Sequence, residues 1–530
     1  MKPRSKLLPM FLFVACAATT GLPCRERAVL LEQFEFHGQK YAIYDRGARA
    51  AAGLTLTGRT SIDLSAGMAG ENILLGTRAR SGNFYVFWLN RRQKAIRLAF
   101  YDQRRGRSRL LPLAGFSFIG LPEIVEENDG LRGLVFLGNR SHNDDLFYYD
   151  PKRDLLTALT ETPFSEKGFT LLERDGQLEI ETRSLWAHYR YHFDPWLRES
   201  TLVEEQRYGT GQKKSTGAVT PEYYNTYIGF GDSITWGEIA GVQRPDLCYL
   251  TQMQSLLADP GFGSYYGASD WVNLGVPGDS TLAGAERVDR DLDGHAGLYF
   301  LLMLGVNDVI HKDLSLDSSL ENLGYIIDAA TARGMRVIIS TLTPSKAGFS
   351  EHQYYWDNLH ALSTGIIALA REKNIPSIDP LTLFLNTNPP DGWKNLLENI
   401  IPGLSSGNHP NATGHKLIAS LFAPALVAFP PQPPHDITVV DPGNTLHRTA
   451  SWSVNYESDF DHFLVEFGFQ PGALDYSLDT PASYCTFNLF PFLPRIYFRV
   501  RAVDRGERRS EPATQEAVAA ATGLGIREID

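Results

Sequence analysis

Four short blocks carry polar residues whose order and type suit the cleavage of an acyl bond. Gly231-Asp232-Ser233-Ile234-Thr235 follows the apolar run Tyr227-Ile228-Gly229-Phe230. A buried strand that ends in a glycine-flanked turn presents a hydroxyl where the strand's carboxyl end meets the next helix. Asn273-Leu274-Gly275-Val276-Pro277-Gly278, Gly305-Val306-Asn307-Asp308 and His409-Pro410-Asn411 come next, in that order. A serine hydroxyl is a poor nucleophile at neutral pH and needs a base beside it. His409 suits that work because an imidazole titrates near the working pH, and Pro410 with Asn411 would fix its loop. Attack also builds charge on the carbonyl oxygen, which calls for donors already in place. The candidates are the backbone N–H of Ser233, the backbone N–H of Gly278 and the side-chain amide of Asn307. Gly278 lets the main chain approach a substrate without a Cβ. Asn307 follows an apolar strand over residues 299–304, so it would share the sheet edge with Ser233.

The elements around these blocks alternate between strand and helix. Apolar runs over 299–304 and 337–339 read as buried parallel strands, and Leu320, Leu323, Ile326, Ile327 and Ala330 trace a helical stripe between them. Alternation of this kind over residues 220–428 predicts a parallel sheet covered by helices on both faces. Residues 26–207 read instead as β-rich with a loose repeat: Tyr44-Asp45, Tyr101-Asp102, Tyr149-Asp150 and Phe193-Asp194 recur at blade-like spacing. A propeller-like domain is the expectation, with a sandwich of recurring turns as the alternative. A polar stretch over 209–217 separates the two domains, and Phe429-Pro430-Pro431-Gln432-Pro433-Pro434 makes a stiff spacer after the second. Residues 436–515 read as a small β domain, since Ile496, Phe498, Val500 and Ala502 alternate with Tyr497, Arg499 and Arg501. With Trp452 near its front, that tail resembles a fibronectin type III module.

The four blocks together resemble the SGNH (GDSL-type) hydrolases, named for the Ser, Gly, Asn and His that they carry. The resemblance spans about residues 226–425. It implies a flavodoxin-like α/β/α catalytic domain in a multidomain chain, with Ser233 as nucleophile and His409 as base and acid. It also implies oxyanion donors at Ser233, Gly278 and Asn307, and chemistry that needs no cofactor or metal. Thr235 stands where an α/β-hydrolase elbow has its last glycine, which disfavours that other fold. One position departs from the family pattern: Ser406 stands three residues before the histidine, where the family carries an aspartate. Three explanations stay open. The Ser406 carbonyl orients the ring in a dyad, a carboxylate such as Asp379 or Asp391 replaces the missing acid, or catalysis is lost. Asp289-Arg290-Asp291-Leu292-Asp293-Gly294 matches the start of a calcium loop, but Phe300 at its twelfth position cannot supply the closing carboxylate, so a solvated loop is expected.

The remaining composition bounds the setting. At 530 residues the chain exceeds one core. A formal charge of -11 speaks against nucleic acid or an anionic bilayer as the main partner. Lys2, Arg4 and Lys6 before an apolar run from Leu7 to Ala18 read as an export signal over residues 1–20. Cys16 in a loose lipobox would tether the protein to a membrane as a lipoprotein; the alternative is simple cleavage and secretion. Cys16, Cys24, Cys248 and Cys485 are too scattered for a disulfide framework. The expectation is an exported esterase of the cell envelope or medium that cleaves O-acyl esters of a small molecule or glycan, with acetyl or short acyl esters of carbohydrate favoured. Its alternatives are a lipase or lysophospholipase, and an inactive adhesion protein whose flanking domains hold a surface glycan or protein.

Overall fold

The computed structural model describes residues 29–518 except 46–53, 93–94, 112, 114, 128–129, 141–142, 161, 163, 175–176, 196–197, 208–218, 259–269, 312–314, 348–349, 351, 388–391, 400–406, 441–446, 471, 489–495 and 514–516. The export signal with Cys16, Cys24, the 209–217 linker, Asp391 and Ser406 therefore lie outside the described residues.

Among the described residues, five strands form the parallel sheet of the middle domain: β1 (Thr226–Gly231), β2 (Asp270–Gly275), β3 (Tyr299–Met303), β4 (Arg336–Ser340) and β5 (Ser377–Ile378), in the order β2-β1-β3-β4-β5. Its helices are α1 (Ser233–Trp236), α2 (Tyr249–Leu257), α3 (Thr281–Gly294), α4 (Val306–His311), α5 (Leu316–Thr331), α6 (Gln353–Glu372), α7 (Pro380–Leu385) and α8 (Ala412–Val427). The chain leaves β1 toward β2 and then reverses toward β3, β4 and β5. Right-handed crossovers therefore put α2 on one face and α3, α5 and α6 on the other. α8 joins α2, and α3, α5 and α6 pack in a row. Strand reversal between β2 and β3 puts the carboxyl end of β1 at the switch point, the usual ligand position in such sheets. The expected helical stripe is α5, whose Leu323, Ile326, Ile327 and Ala330 are buried.

Among the described residues, four antiparallel sheets lie before this domain, each built from strands consecutive in the chain. Alternation drives their stacking, because a strand buried on both faces sends odd and even residues into different cores. On the strand Asn83–Arg92, Phe84, Val86 and Trp88 join a core with Ile43, Leu54 and Leu56 of the first sheet. Tyr85, Phe87 and Leu89 join another core with Leu134 and Phe136 of the third sheet. Val135, Leu146 and Tyr148 then meet Ile180, Tyr189 and Phe193 of the fourth. Tyr101-Asp102, Tyr149-Asp150 and Phe193-Asp194 each end the last strand but one of their sheet, whereas Tyr44-Asp45 ends the second strand of the first. The aspartates serve the turns: Asp102 accepts from the N–H of Arg105, and Asp150 from those of Lys152 and Arg153. The described cores join first to second, second to third and third to fourth sheet.

Every one of these sheets reaches the middle domain. Asp45 and Glu71 hold His352 at 3.1 and 3.3 Å, and Arg91 pairs with Asp357 at 2.9 Å, all at the start of α6. Asn139 donates to Asp317. Lys167 is fully buried and donates to Ser318 and, at 2.6 Å, to Glu321 of α5. Arg183 pairs with Glu286 of α3. The tail module has sheets β6-β7-β10 and β9-β8-β11-β12, from β6 (Thr438–Val440), β7 (His447–Ser451), β8 (Phe460–Gly468), β9 (Tyr476–Thr480), β10 (Tyr484–Asn488), β11 (Tyr497–Asp504) and β12 (Ala517–Val518). Trp452, Phe463, Phe487 and Phe498 fill the space between them. The module grips the amino end of the parallel sheet. Glu457 pairs with Arg336 at 2.9 Å, and Asn225 exchanges hydrogen bonds with Tyr456 and Ser458.

The His352 contact is pH-dependent. Its hydrogen bonds to Asp45 and then Glu71 outweigh burial and push the imidazole up to about 9. A raised folded-state value means that the stabilisation is complete below the ordinary value of 6.5 and is lost as pH rises through about 9. The thermal midpoint should therefore fall between about pH 7 and about pH 9, and His352→Gln should flatten that slope while lowering the midpoint at neutral pH. Differential scanning calorimetry across this range checks it.

Candidate active site

The carboxyl edge of the sheet gathers the four blocks. Gly231 ends β1 in register with Gly275 of β2 and Met303 of β3, so the three following loops start side by side. Close packing there excludes side chains. A Cβ on Gly231 would stand 2.1 Å from the Met303 carbonyl oxygen, and one on Gly275 2.1 Å from the Trp236 nitrogen. Asp232 caps α1 by accepting from the N–H of Ile234, and burial pushes its carboxyl up to about 7. Ser233 is thus the first residue of a helix, where backbone N–H groups have no acceptor within the helix.

The serine hydroxyl meets an imidazole. Ser233 Oγ stands 2.8 Å from His409 Nε2 across a separation of 176 residues. The other ring nitrogen, Nδ1, is 3.1 Å from Glu398 Oε1, whose side chain is 3% exposed. A carboxylate on Nδ1 fixes the tautomer with its proton there and leaves Nε2 to accept from the hydroxyl. Burial opposes charge on this ring, but the hydrogen bond to Glu398 and the charges of Glu238, Glu398 and Asp232 leave it easier to protonate than an ordinary histidine.

Glu398 is a carboxylate on the ring that the sequence reading did not name among its candidate replacements for the missing acid. The acid comes from a short segment that pairs with the histidine loop. Leu397 bridges Pro410, the Glu398 N–H donates to the His409 carbonyl, and the Asn411 N–H donates to the Leu396 carbonyl. Asn411 also caps α8 through Thr413 and Gly414 while donating to the carbonyls of Asn395 and Leu397. Lys346 ties the same segment to the loop after β4 through the carbonyls of Lys394 and Leu397. Asp379 does not reach the ring. It caps α7 through the N–H of Thr382 and accepts from Thr341, which corrects its candidacy as the orienting acid.

Gly278 and Asn307 flank the same edge. Gly278 has φ +82 and open space where a Cβ would stand, so the need for glycine is conformational rather than steric. The Asn307 amide donates at 2.8 Å to the carbonyl of Asp279, next to Gly278, which joins the two loops and leaves a second amide hydrogen. Its neighbour Asp308 accepts from Thr281 N and Oγ1 and from Ser319, pinning the start of α3. Arg287 locks the remainder from below. It donates to the Gly231 carbonyl at 3.0 Å and to Asp279 and Asp291 at 2.6 Å each, with its guanidinium 3.9 Å from the centre of the Phe230 ring. Asp289, Asp291 and Asp293 lie on α3, not on the expected solvated loop, and pair with Arg287, Arg290 and Arg333. Among the described residues no cluster of His, Cys, Asp and Glu could hold a metal ion.

Residues 230–417 match the family model described as GDSL-like Lipase/Acylhydrolase. Among solved structures, the chain is similar to a lipase/acylhydrolase from Enterococcus faecalis, at 20% identity over 38% of this chain and 95% of that one, with a TM-score of 0.32. It is similar also to an acetyl xylan esterase, at 23% identity over 38% of this chain and 99% of that one, TM-score 0.32. A third is a G-D-S-L lipolytic protein from Veillonella parvula, at 20% identity over 38% and 97%, TM-score 0.30. No curated protein sequence matches the chain.

Arg287 supplies a stability test. Removing one partner of a buried ion pair leaves uncompensated charge and costs about 3–5 kcal/mol. Arg287→Met should lose about that much in a urea unfolding series, and more than Arg290→Met, whose side chain is 75% exposed.

Proposed function

With residues 230–417 forming a GDSL-like acylhydrolase domain, the fold of a family of ester-bond hydrolases, we propose that this protein is an exported serine esterase that cleaves O-acyl esters, with acetyl or short acyl esters of carbohydrate as its substrates. The observation that carries the mechanism is the 2.8 Å contact of Ser233 Oγ with His409 Nε2, backed by Glu398 on Nδ1. Ser233 Oγ bonds to the acyl carbon as its proton passes to Nε2. The carbonyl electron pair moves onto oxygen, where the N–H groups of Ser233 and Gly278 and the Asn307 amide receive the charge. The alcohol leaves with the proton from the imidazolium, giving an acyl-enzyme. Water then adds to that carbon, gives its proton to His409 and releases the acid, and Ser233 recovers its proton.

The outer domains fit an enzyme working on a surface or polymer. Four stacked meanders support a propeller-like reading of the amino-terminal domain, and a three-plus-four strand order supports a fibronectin type III-like tail. Cys16 in the leader supports attachment to the envelope. A neutral glycan suits a chain of net charge -11 better than an anionic bilayer does.

Hydrolysis of p-nitrophenyl acetate by the purified protein tests the chemistry. Ser233→Ala should abolish turnover, Asn307→Ala should lower kcat by about 10²–10³, and Glu398→Ala by up to about 10⁴. Equal rates in wild type and Ser233→Ala refute the mechanism. On a panel of acylated sugars and lipids, acetyl esters should exceed octanoyl esters in kcat/KM. The reverse order assigns a lipase.

A further inference from the structure

The nucleophile's own helix runs straight into a second carboxylate. Gly237 ends α1 in the left-handed conformation, and its N–H returns to the carbonyls of Ser233 and Ile234. That turn delivers a small hairpin pairing Glu238 with Gln243 and Ile239 with Val242, turned at Ala240 (φ +54) and Gly241 (φ +77). Two groups of the hairpin reach the His409 assembly. The Ala240 N–H donates at 2.5 Å to Glu398 Oε2, and Glu238 Oε1 stands 3.7 Å from His409 Nδ1.

We propose that Glu238 is a second anionic positioning residue of this site, sharing with Glu398 the charge of the imidazolium that forms when Ser233 attacks. The proposal rests on the reading that Ser233 and His409 carry the chemistry. An Nδ1–H has one good hydrogen bond to give, and the Ala240 N–H holds Glu398 in place to receive it. Glu238 therefore acts through charge, across a distance at which an opposite charge favours the ionised form. The other groups around the ring are placed differently. Asp232, from the turn before α1, is buried and accepts from Ile234. His415 of α8 is kept neutral first by burial and then by the charge of His409, its imidazole pushed down to about 3. Lys346 lies behind Glu398, donating to the carbonyls of its segment.

Two consequences separate this role from scaffolding. A ring flanked by two carboxylates must lose its proton at higher pH before it can act as base. Removing Glu238 should therefore move the acidic limb of kcat/KM to lower pH while lowering the plateau. With Glu398 neutralised, Glu238 remains as a carboxylate near Nδ1, so the single variant should keep activity that the double variant lacks.

The experiment records kcat/KM for p-nitrophenyl acetate from about pH 5 to about pH 10 in the full chain, for wild type, Glu238→Gln, Glu398→Gln, the double variant and Ser233→Ala. The expected result is an acidic limb about half to one unit lower in Glu238→Gln, with a plateau within about tenfold of wild type. The double variant should fall at least about tenfold below Glu398→Gln. Labelling of Ser233 by a fluorophosphonate over the same range reads the limb without deacylation, and the thermal midpoint of Glu238→Gln reports its folding. A limb coincident with wild type in both assays overturns the role of Glu238 while an inert Ser233→Ala keeps the serine mechanism. Turnover that persists in Ser233→Ala overturns both.

Discussion

No side chain fits at positions 231 and 275, and the rest of the site follows from that. With hydrogen alone on these two residues, β1 lies against the Met303 carbonyl and β2 against the backbone of α1. This closeness lines up three loops at one edge and sets Ser233 at the first turn of a helix. Arg287 then stabilises the same point from beneath, spending its donors on the Gly231 carbonyl and on Asp279. The serine turn and the Gly278 turn are thereby fixed to one buried cation, so neither moves independently of the other. Preorganisation of this kind is what makes donors effective at a developing oxyanion.

Much of this was legible in the sequence because its signals are local. A strand, a glycine and a polar residue repeat three times, and the parallel order of strands does the rest. His409 was legible because Pro410 and Asn411 mark a rigid loop entering a helix. Glu398 was not. It lies eleven residues before the histidine, and its place depends on the bridge between Leu397 and Pro410, a pairing across a loop that no periodicity announces. A helix also concealed itself: the aspartates at 289, 291 and 293 imitate a metal loop, yet Ser280 caps α3 ahead of them and Arg287 and Arg333 answer their charge.

The amino-terminal sheets show the same division. The recurring aromatic-aspartate pairs were visible, and in three sheets they end the last strand but one, where the aspartate side chains at 102 and 150 close the turns. How the sheets meet the middle domain was hidden, since its contacts are single residues far apart in sequence: Asp45, Glu71, Arg91, Asn139, Lys167 and Arg183. Spread over all four sheets, these contacts bind the array to α3, α5 and α6 at several points, and a buried lysine among them makes separation costly. The amino-terminal domain is held against the starts of α5 and α6, the end of the sheet that also carries Ser233.

The tail module occupies the opposite end. Arg336 opens β4 and Asn225 precedes β1, so the Glu457 and Ser458 clamps sit where the strands begin. A five-residue strand is about 17 Å long, and the hydrolytic edge lies at its far end. The tail is thereby kept behind the sheet, at a stand-off of at least one strand length from Ser233. The carboxyl edge with Ser233 is left clear of the tail, and an ester reaches it from the opposite direction.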